Sequence, residues 1–179
     1  MWWCLPYAPS AVPAATVIHP GAGYGSRLWP TQRFAEVARR LDHAGHAVVF
    51  TGSVGERGRA LRIAREAGLP DVSVLAGSLS LAGFAAVIAD ARLVVSADTG
   101  AAHLASAYRR PSVVLFGPAA PEEWGPPPGP HMVLERPELR RGDPFASDPD
   151  PALLGVSVGE VLDAVGRLEF PASGSSSRR

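Results

Sequence analysis

Three observations predict an α/β domain whose parallel sheet is covered by helices on both faces. Short β-branched runs alternate with segments whose apolar residues repeat at helical spacing. The segments between successive runs are long enough for crossover helices, which puts ligands beyond the strands' carboxyl ends. A length of 179 residues, 46% of them hydrophobic and with no formal net charge, suits one soluble domain with a real core.

The elements follow in order. Residues 1–15 are rich in Pro and Ala without periodicity and read as an irregular lead-in on which no core depends. Thr16-Val17-Ile18-His19 is a buried strand, and the loop from Pro20 to Ser26 holds glycines that let the backbone turn sharply or approach a ligand. Trp29-Pro30-Thr31 opens a helix with Phe34, Val37, Ala38 and Leu41 inward and Gly45 as its stop. The run from Ala47 to Thr51 is the second strand. Gly52-Ser53-Val54-Gly55 then leads to a helix from about Glu56 to Ala67, closed by Gly68 and Pro70.

Val72 to Leu75 is a third strand, and Ser80 caps a helix with Phe84, Val87, Ile88 and Ala91 inward. Leu93-Val94-Val95-Ser96-Ala97 enters the polar turn Asp98-Thr99-Gly100 and leaves as an alanine-rich helix to Tyr108, which Asp98 or Thr99 can cap. Ser112 to Phe116 is the next strand. A loop from Gly117 runs through Trp124 and Pro126-Pro127-Pro128 to an edge strand, His131 to Leu134. The segment from Arg136 to Pro151 is loop by its Pro and Asp content, and local pattern does not set its path. Ser157 and Glu160 have capping-box spacing ahead of Val161, Leu162, Val165 and Leu168. The domain so bounded runs over 16–170, with 171–179 a disordered tail.

Composition excludes several classes. All 17 basic residues are arginine, they balance 17 acids, and they fall in scattered pairs such as Arg39-Arg40 and Arg140-Arg141, so no nucleic-acid stripe exists. The complete absence of lysine beside abundant Ala, Gly and Pro points to coding bias, which makes each arginine-for-lysine choice uninformative. Cys4 stands alone, so no intrachain disulfide or cysteine metal cluster forms. The opening Met1-Trp2-Trp3-Cys4-Leu5-Pro6 lacks a basic region, and no apolar run reaches the length of a membrane span. A cytosolic protein is expected.

The chemistry-bearing residues sit at the expected carboxyl edge of the sheet. Gly21-x-Gly23-x-Gly25 is not the G-x-G-x-x-G dinucleotide fingerprint, no acid closes the second strand, and no G-x-x-x-x-G-K-[ST] occurs. NAD binding and Walker-type NTP hydrolysis are therefore disfavoured. The helix start at Thr99 offers free amides and a favourable dipole to an anion, and Thr99 and His103, four apart, share one side of that helix. Arg27 offers a planar donor fork to a phosphate, or is a surface arginine. Glu56 accepts ribose hydroxyls, or only compensates its helix dipole.

Five motifs in register bear on these alternatives: His19-Pro20-Gly21-Ala22-Gly23; Arg27-Leu28-Trp29-Pro30; Thr51-Gly52 with Glu56; Ser96-Ala97-Asp98-Thr99-Gly100-Ala101-Ala102-His103-Leu104; and Phe116-Gly117-Pro118 with Trp124-Gly125. In order and spacing they resemble the heptosyltransferases, glycosyltransferase family 9, over about residues 16–135, and only that family's C-terminal, nucleotide-sugar-binding half. The resemblance implies a Rossmann-like half of a GT-B enzyme. It implies metal-independent inverting transfer from a nucleoside-diphosphate sugar, typically ADP-heptose, to a lipopolysaccharide-core acceptor, with no cofactor. By the same resemblance Gly23, Tyr24 and Arg27 line the diphosphate, and Arg27 stabilises the leaving group where the family usually has lysine. Glu56 binds the ribose, Leu79 lines the base pocket, and Asp98, Thr99, Gly100 and His103 hold sugar and diphosphate. Leu28 departs from the pattern, a basic residue being common there.

The general base is expected on an N-terminal acceptor half, part of a longer or separate chain, which these residues lack. The acceptor, a glycan or glycolipid, implies a cytoplasmic site with peripheral contact at the inner membrane face. Two alternatives follow: a noncatalytic nucleotide-sugar-binding module, alone or paired with a separate acceptor-domain chain, and, less well matched, a two-domain nucleotide-sugar epimerase.

Overall fold

The computed structural model describes residues 9–169. Cys4, the opening residues and the tail expected to be disordered lie outside the described residues.

Strands β1 (Thr16–His19), β2 (Val48–Phe50), β3 (Leu93–Ala97), β4 (Ser112–Leu115) and β5 (His131–Leu134) form one sheet in the order β2-β1-β3-β4-β5. Every adjacent pair is parallel, with Val17 opposite Val49 and Val94, and Val95 opposite Val113. Helices α1 (Thr31–His43), α2 (Arg57–Glu66), α3 (Leu81–Ala89), α4 (Gly100–Ala107), α5 (Pro121–Trp124), α6 (Pro151–Leu154) and α7 (Val158–Glu169) connect and follow the strands.

Strand alternation sorts the side chains into two layers. Ile18, Val95, Val113 and Leu115 pack with Phe34 and Leu41 of α1, Ile63 of α2 and Val161 and Val165 of α7. Val17, Val49 and Val94 face the other way, against Val87 and Ile88 of α3 and Ala101 and Ala105 of α4. Each fully buried aliphatic or aromatic side chain contributes roughly 1.5–3 kcal/mol by removal from water, so these layers supply the main stabilisation. Trp29 joins the first layer edge-to-face with Phe34 at 5.0 Å, and its indole N–H donates to the Val156 carbonyl at 3.1 Å, so burial leaves no orphan donor.

Local capping sets the helix starts. Ser80 Oγ accepts from the Gly83 amide at 3.1 Å. Ser157 and Glu160 close the expected capping box: the Ser157 amide donates to Glu160 Oε2 at 2.9 Å and the Glu160 amide donates to Ser157 Oγ at 3.3 Å. At the opposite end of the sheet from the strand tips, Thr16 Oγ1 and His46 Nδ1 share a buried hydrogen bond of 2.8 Å.

Two expectations are corrected, and the course of one loop is settled. Val72 to Leu75 is not a strand: Asp71–Ser73 forms a 3-10 turn after Pro70, Val72 is exposed, and only Val74 bridges to Phe50. The lead-in does bear on the core, because Ala15 is buried, Val12 packs against the second layer, and the amides of Ser10 and Ala14 donate to the Asp90 side chain and carbonyl at 2.8 and 2.9 Å. The 136–151 segment carries a 3-10 turn, Pro137–Leu139, and reaches α6 by way of the strand tips, as described next.

Candidate functional site

Sheet order reverses at β1: the chain leaves β1 for β2 on one side, and β3 takes the place on the other. The loops after β1 and β3 therefore diverge and leave a crevice at their carboxyl ends, where open α/β sheets bind ligands. The first loop carries a 3-10 turn, Gly25–Arg27, and the second carries Asp98 and Thr99 into α4.

Arg27 crosses this crevice. Its Nη1 donates to the Asp98 carbonyl at 3.4 Å and lies 3.7 Å from Asp98 Oδ2. His103, one turn into α4, brings Nε2 to 3.7 Å from Asp98 Oδ1. Asp98 is only 5% exposed. Burial pushes its carboxyl above the usual carboxylate range, while Arg27 and His103 pull it down by smaller amounts.

Neither Asp98 nor Thr99 caps α4 through its side chain, contrary to the sequence expectation. The Asp98 carboxylate lies 3.7 Å from both Arg27 Nη1 and His103 Nε2, and Thr99, the N-cap residue, has an extended backbone with no side-chain bond to the helix amides. Thr99 Oγ1 and Arg27 Nε are buried without a hydrogen-bond partner. Such groups cost of order 1–3 kcal/mol each unless a ligand or water completes them. Ahead of the first intrahelical bond, from the His103 amide to the Thr99 carbonyl at 3.3 Å, the α4 amides at Gly100, Ala101 and Ala102 have no helical acceptor. The backbone is open where a side chain would stand at Gly100 and at Gly23. A guanidinium, a buried hydroxyl and a helix start stand near one another at this end of the sheet, an arrangement chemically able to seat an anion.

Glu56 occupies the neighbouring loop. Its Oε2 accepts from the Ser53 amide at 2.6 Å, and its carboxylate lies directly over Gly21, where a Cβ would collide with it. His19, at the tip of β1, completes this corner with Nδ1 at 3.0 Å from Thr51 Oγ1 and its ring on Phe84 at 5.6 Å. Burial pushes the His19 imidazole down, against a smaller upward pull from Glu56, so it sits neutral in the floor. Leu79 is half-buried in the second layer beside Leu75 and Phe84.

The structure thus brings Arg27, Asp98 and His103 into one cluster with Thr99 and Gly100, and sets Glu56 beside Gly21. Tyr24 stands at the rim, ring edge-to-face with Phe145 at 5.0 Å. Phe145 belongs to the segment whose path the sequence did not disclose. That segment is tied to the first loop by Ser26: its amide donates to the Ala146 carbonyl at 2.9 Å, its Oγ to the Pro144 carbonyl at 2.8 Å, and its carbonyl accepts from the Asp150 amide at 3.0 Å. The result is a cleft of about 420 Å³ walled by Arg27, Pro118, Glu123, Trp124, Pro144 and Phe145. Sequence reasoning missed Ser26 and Phe145 because their partners are more than a hundred residues apart; the exposed aromatic within a Pro- and Asp-rich loop was the available signal.

The profile of glycosyltransferase family 9 (heptosyltransferase) matches residues 8–138. Lipopolysaccharide heptosyltransferase 1 of Pseudomonas aeruginosa is 42% identical over 115 residues, covering 64% of this chain and 31% of its own length. Lipopolysaccharide heptosyltransferase 2 of Escherichia coli is 31% identical over 162 residues, covering 83% and 45%. Among solved structures, the E. coli ADP-heptose lipopolysaccharide heptosyltransferase II superposes with a TM-score of 0.75 at 26% identity, covering 90% of this chain and 48% of that one. An E. coli heptosyltransferase solved with ADP gives 0.69 at 25% identity, covering 89% and 46%. The chain spans less than half the length of these relatives. The family profile spans more than half of the chain: the chain belongs to glycosyltransferase family 9, the heptosyltransferases.

Proposed function

We propose that this chain is the donor-binding half of an inverting glycosyltransferase that takes a nucleoside-diphosphate sugar, ADP-heptose-like, and passes the sugar to a lipopolysaccharide-core glycolipid. The observation that carries this reading is the anion seat, in which Arg27 Nε and Thr99 Oγ1 are buried without partners beside the start of α4. A diphosphate supplies the acceptors those groups lack. Gly23, Tyr24, Arg27, Thr99 and Gly100 bind it, Glu56 accepts the ribose hydroxyls, Leu79 borders the base, and Asp98 and His103 face the sugar.

The chemistry follows from charge. The acceptor oxygen attacks the anomeric carbon from the face opposite the diphosphate, the carbon–oxygen bond to phosphate breaks, and negative charge grows on the departing nucleoside diphosphate. Arg27 and the α4 amides stand ready for that charge, which lowers the barrier without reorganisation. The acceptor's proton passes to a base on a facing half of the enzyme, outside these residues. Action on such a glycolipid puts the chain in the cytoplasm at the inner membrane face; no helix among the described residues is long and apolar enough to cross a membrane.

Calorimetric titration with ADP, GDP and UDP and with ADP-heptose tests the reading. ADP and ADP-heptose are expected to bind in the micromolar to millimolar range, ahead of GDP and UDP. No binding of any of them at millimolar concentration refutes it.

A further inference from the structure

The donor reading gives Trp124 no task, although its motif is among those that mark the family resemblance. Trp124 ends the one-turn helix α5, just beyond the carboxyl end of β4. The chain reverses at once: the Gly125 amide donates to the Pro121 carbonyl at 2.7 Å, and a Cβ at Gly125 would run into that carbonyl. This turn presents the indole outward, and Trp124 is left 58% exposed. It lines two hollows. One is the small hollow beside Asp98, His103 and Ser106, floored by Phe116. The other is the cleft it shares with Arg27 and Glu123. The indole is therefore the wall common to the Asp98 side and the Arg27 side of the site.

What sets Trp124 apart from other exposed apolar residues is its place between the two hollows, where the indole offers a large flat apolar face beside polar groups. A pyranose ring is the matching shape: its C–H face is apolar, and its rim carries hydroxyl donors. An acid lines each hollow together with Trp124, Asp98 in the first and Glu123 in the second. Binding sites for polar ligands combine such an aromatic wall with a few placed polar groups. We propose that the indole of Trp124 is the platform on which the transferred sugar ring lies, with Asp98 and Glu123 accepting its hydroxyls. This rests on the donor reading above and assigns sugar discrimination to Trp124, leaving nucleoside and diphosphate to the other loops.

The test is titration of the wild-type chain, Trp124→Ala and Trp124→Leu with ADP and with ADP-heptose. Trp124→Ala is expected to weaken ADP-heptose about tenfold while ADP stays within about twofold, a selective loss of ~1.4 kcal/mol. Trp124→Leu keeps apolar bulk without a π face and is expected to lose about fivefold for ADP-heptose alone. ADP-heptose, and not ADP, is expected to change the tryptophan emission of the wild type, and that change is expected to vanish in both variants. Equal losses for the two ligands, or none for either, overturn the platform and leave the donor site standing. A wild-type chain that binds neither ligand overturns both.

Discussion

Arg27 and Asp98, 71 residues apart in sequence, meet across the crevice between the first and third strands, guanidinium Nη1 3.4 Å from the Asp98 carbonyl and 3.7 Å from its carboxylate. One side chain thereby holds two loops in register while keeping its Nε buried and without a partner. Replacing Arg27 by Ala is expected to weaken ADP binding by about ten- to a hundredfold, in keeping with ~1.5–3 kcal/mol for a hydrogen bond to a charged group. Arg27→Lys, which keeps the charge, is expected to stay within about threefold of wild type. Calorimetry on both variants checks this, and equal losses would show that the planar fork rather than the charge is needed.

Asp98 is a buried acid whose burial outweighs the opposing pulls of Arg27 and His103. Its folded pKa is raised, so its contribution to stability is fully present below the unfolded pKa and is lost as pH rises through the folded one. At neutral pH the ionised carboxylate is a cost to the free chain. Asp98→Asn is therefore expected to raise the melting temperature at pH 7 by about 2–4 °C, for a gain of ~1 kcal/mol, and to narrow the advantage toward pH 4. The same variant is expected to bind ADP-heptose less tightly. Thermal scans from pH 4 to 8 read the first effect and titration the second.

Glu160 makes the opposite case. Its side chain pairs with Arg136 and accepts from Ser157, and these bonds hold it down from 4.5 to about 2, the Arg136 hydrogen bond being the largest cause. A depressed acid contributes stability above its unfolded pKa and loses it as pH falls toward the folded value. Between about pH 4.5 and 2 the wild type is expected to lose stability that Glu160→Gln lacks throughout. The pair is partly exposed, so the difference is held to about 1 kcal/mol or less. Urea melts at pH 3 and pH 6 measure it.

Gly21 leaves room for the Glu56 carboxylate, and a methyl there would strike only the end of that flexible side chain. Gly21→Ala is expected to cost little stability, within about 2 °C in melting temperature, because the carboxylate can swing away. It is expected to weaken ADP about as much as Glu56→Gln does. The double variant is then expected to be no worse than either single one, and full additivity would show that the two positions act separately.

Local pattern carried the reading wherever local physics sets the structure. Phe34, Val37 and Leu41 place α1 by spacing alone, and Ser157 with Glu160 starts α7 by a bond pair three residues apart. It failed where a distant partner decides. Val72 and Val74 favour a strand, yet the chain turns after Pro70 and only a single bridge forms, Val74 opposite Phe50 with the Leu75 amide donating to the Phe50 carbonyl at 2.8 Å. The course of residues 136–150 depends on Ser26 and on the buried Asp150, whose carboxylate collects the amides of Arg141 and Ala152 at 3.1 and 2.9 Å. In the crevice, the motif residues were legible as types, but the Asp98 side chain is set by Arg27, 71 residues away, and by His103 rather than by the helix amides.

The strand order has a spatial corollary. With β2 and the Glu56 loop to one side of β1, Arg27 and Asp98 at the reversal, and Trp124 past the end of β4 on the other, the edge of the sheet works as a ruler. Under the donor reading proposed above, a nucleotide sugar laid along it is measured from nucleoside through diphosphate to sugar. An exchange in any one loop then changes the reading of one chemical part while the graduations on either side stay where the backbone ladder fixed them.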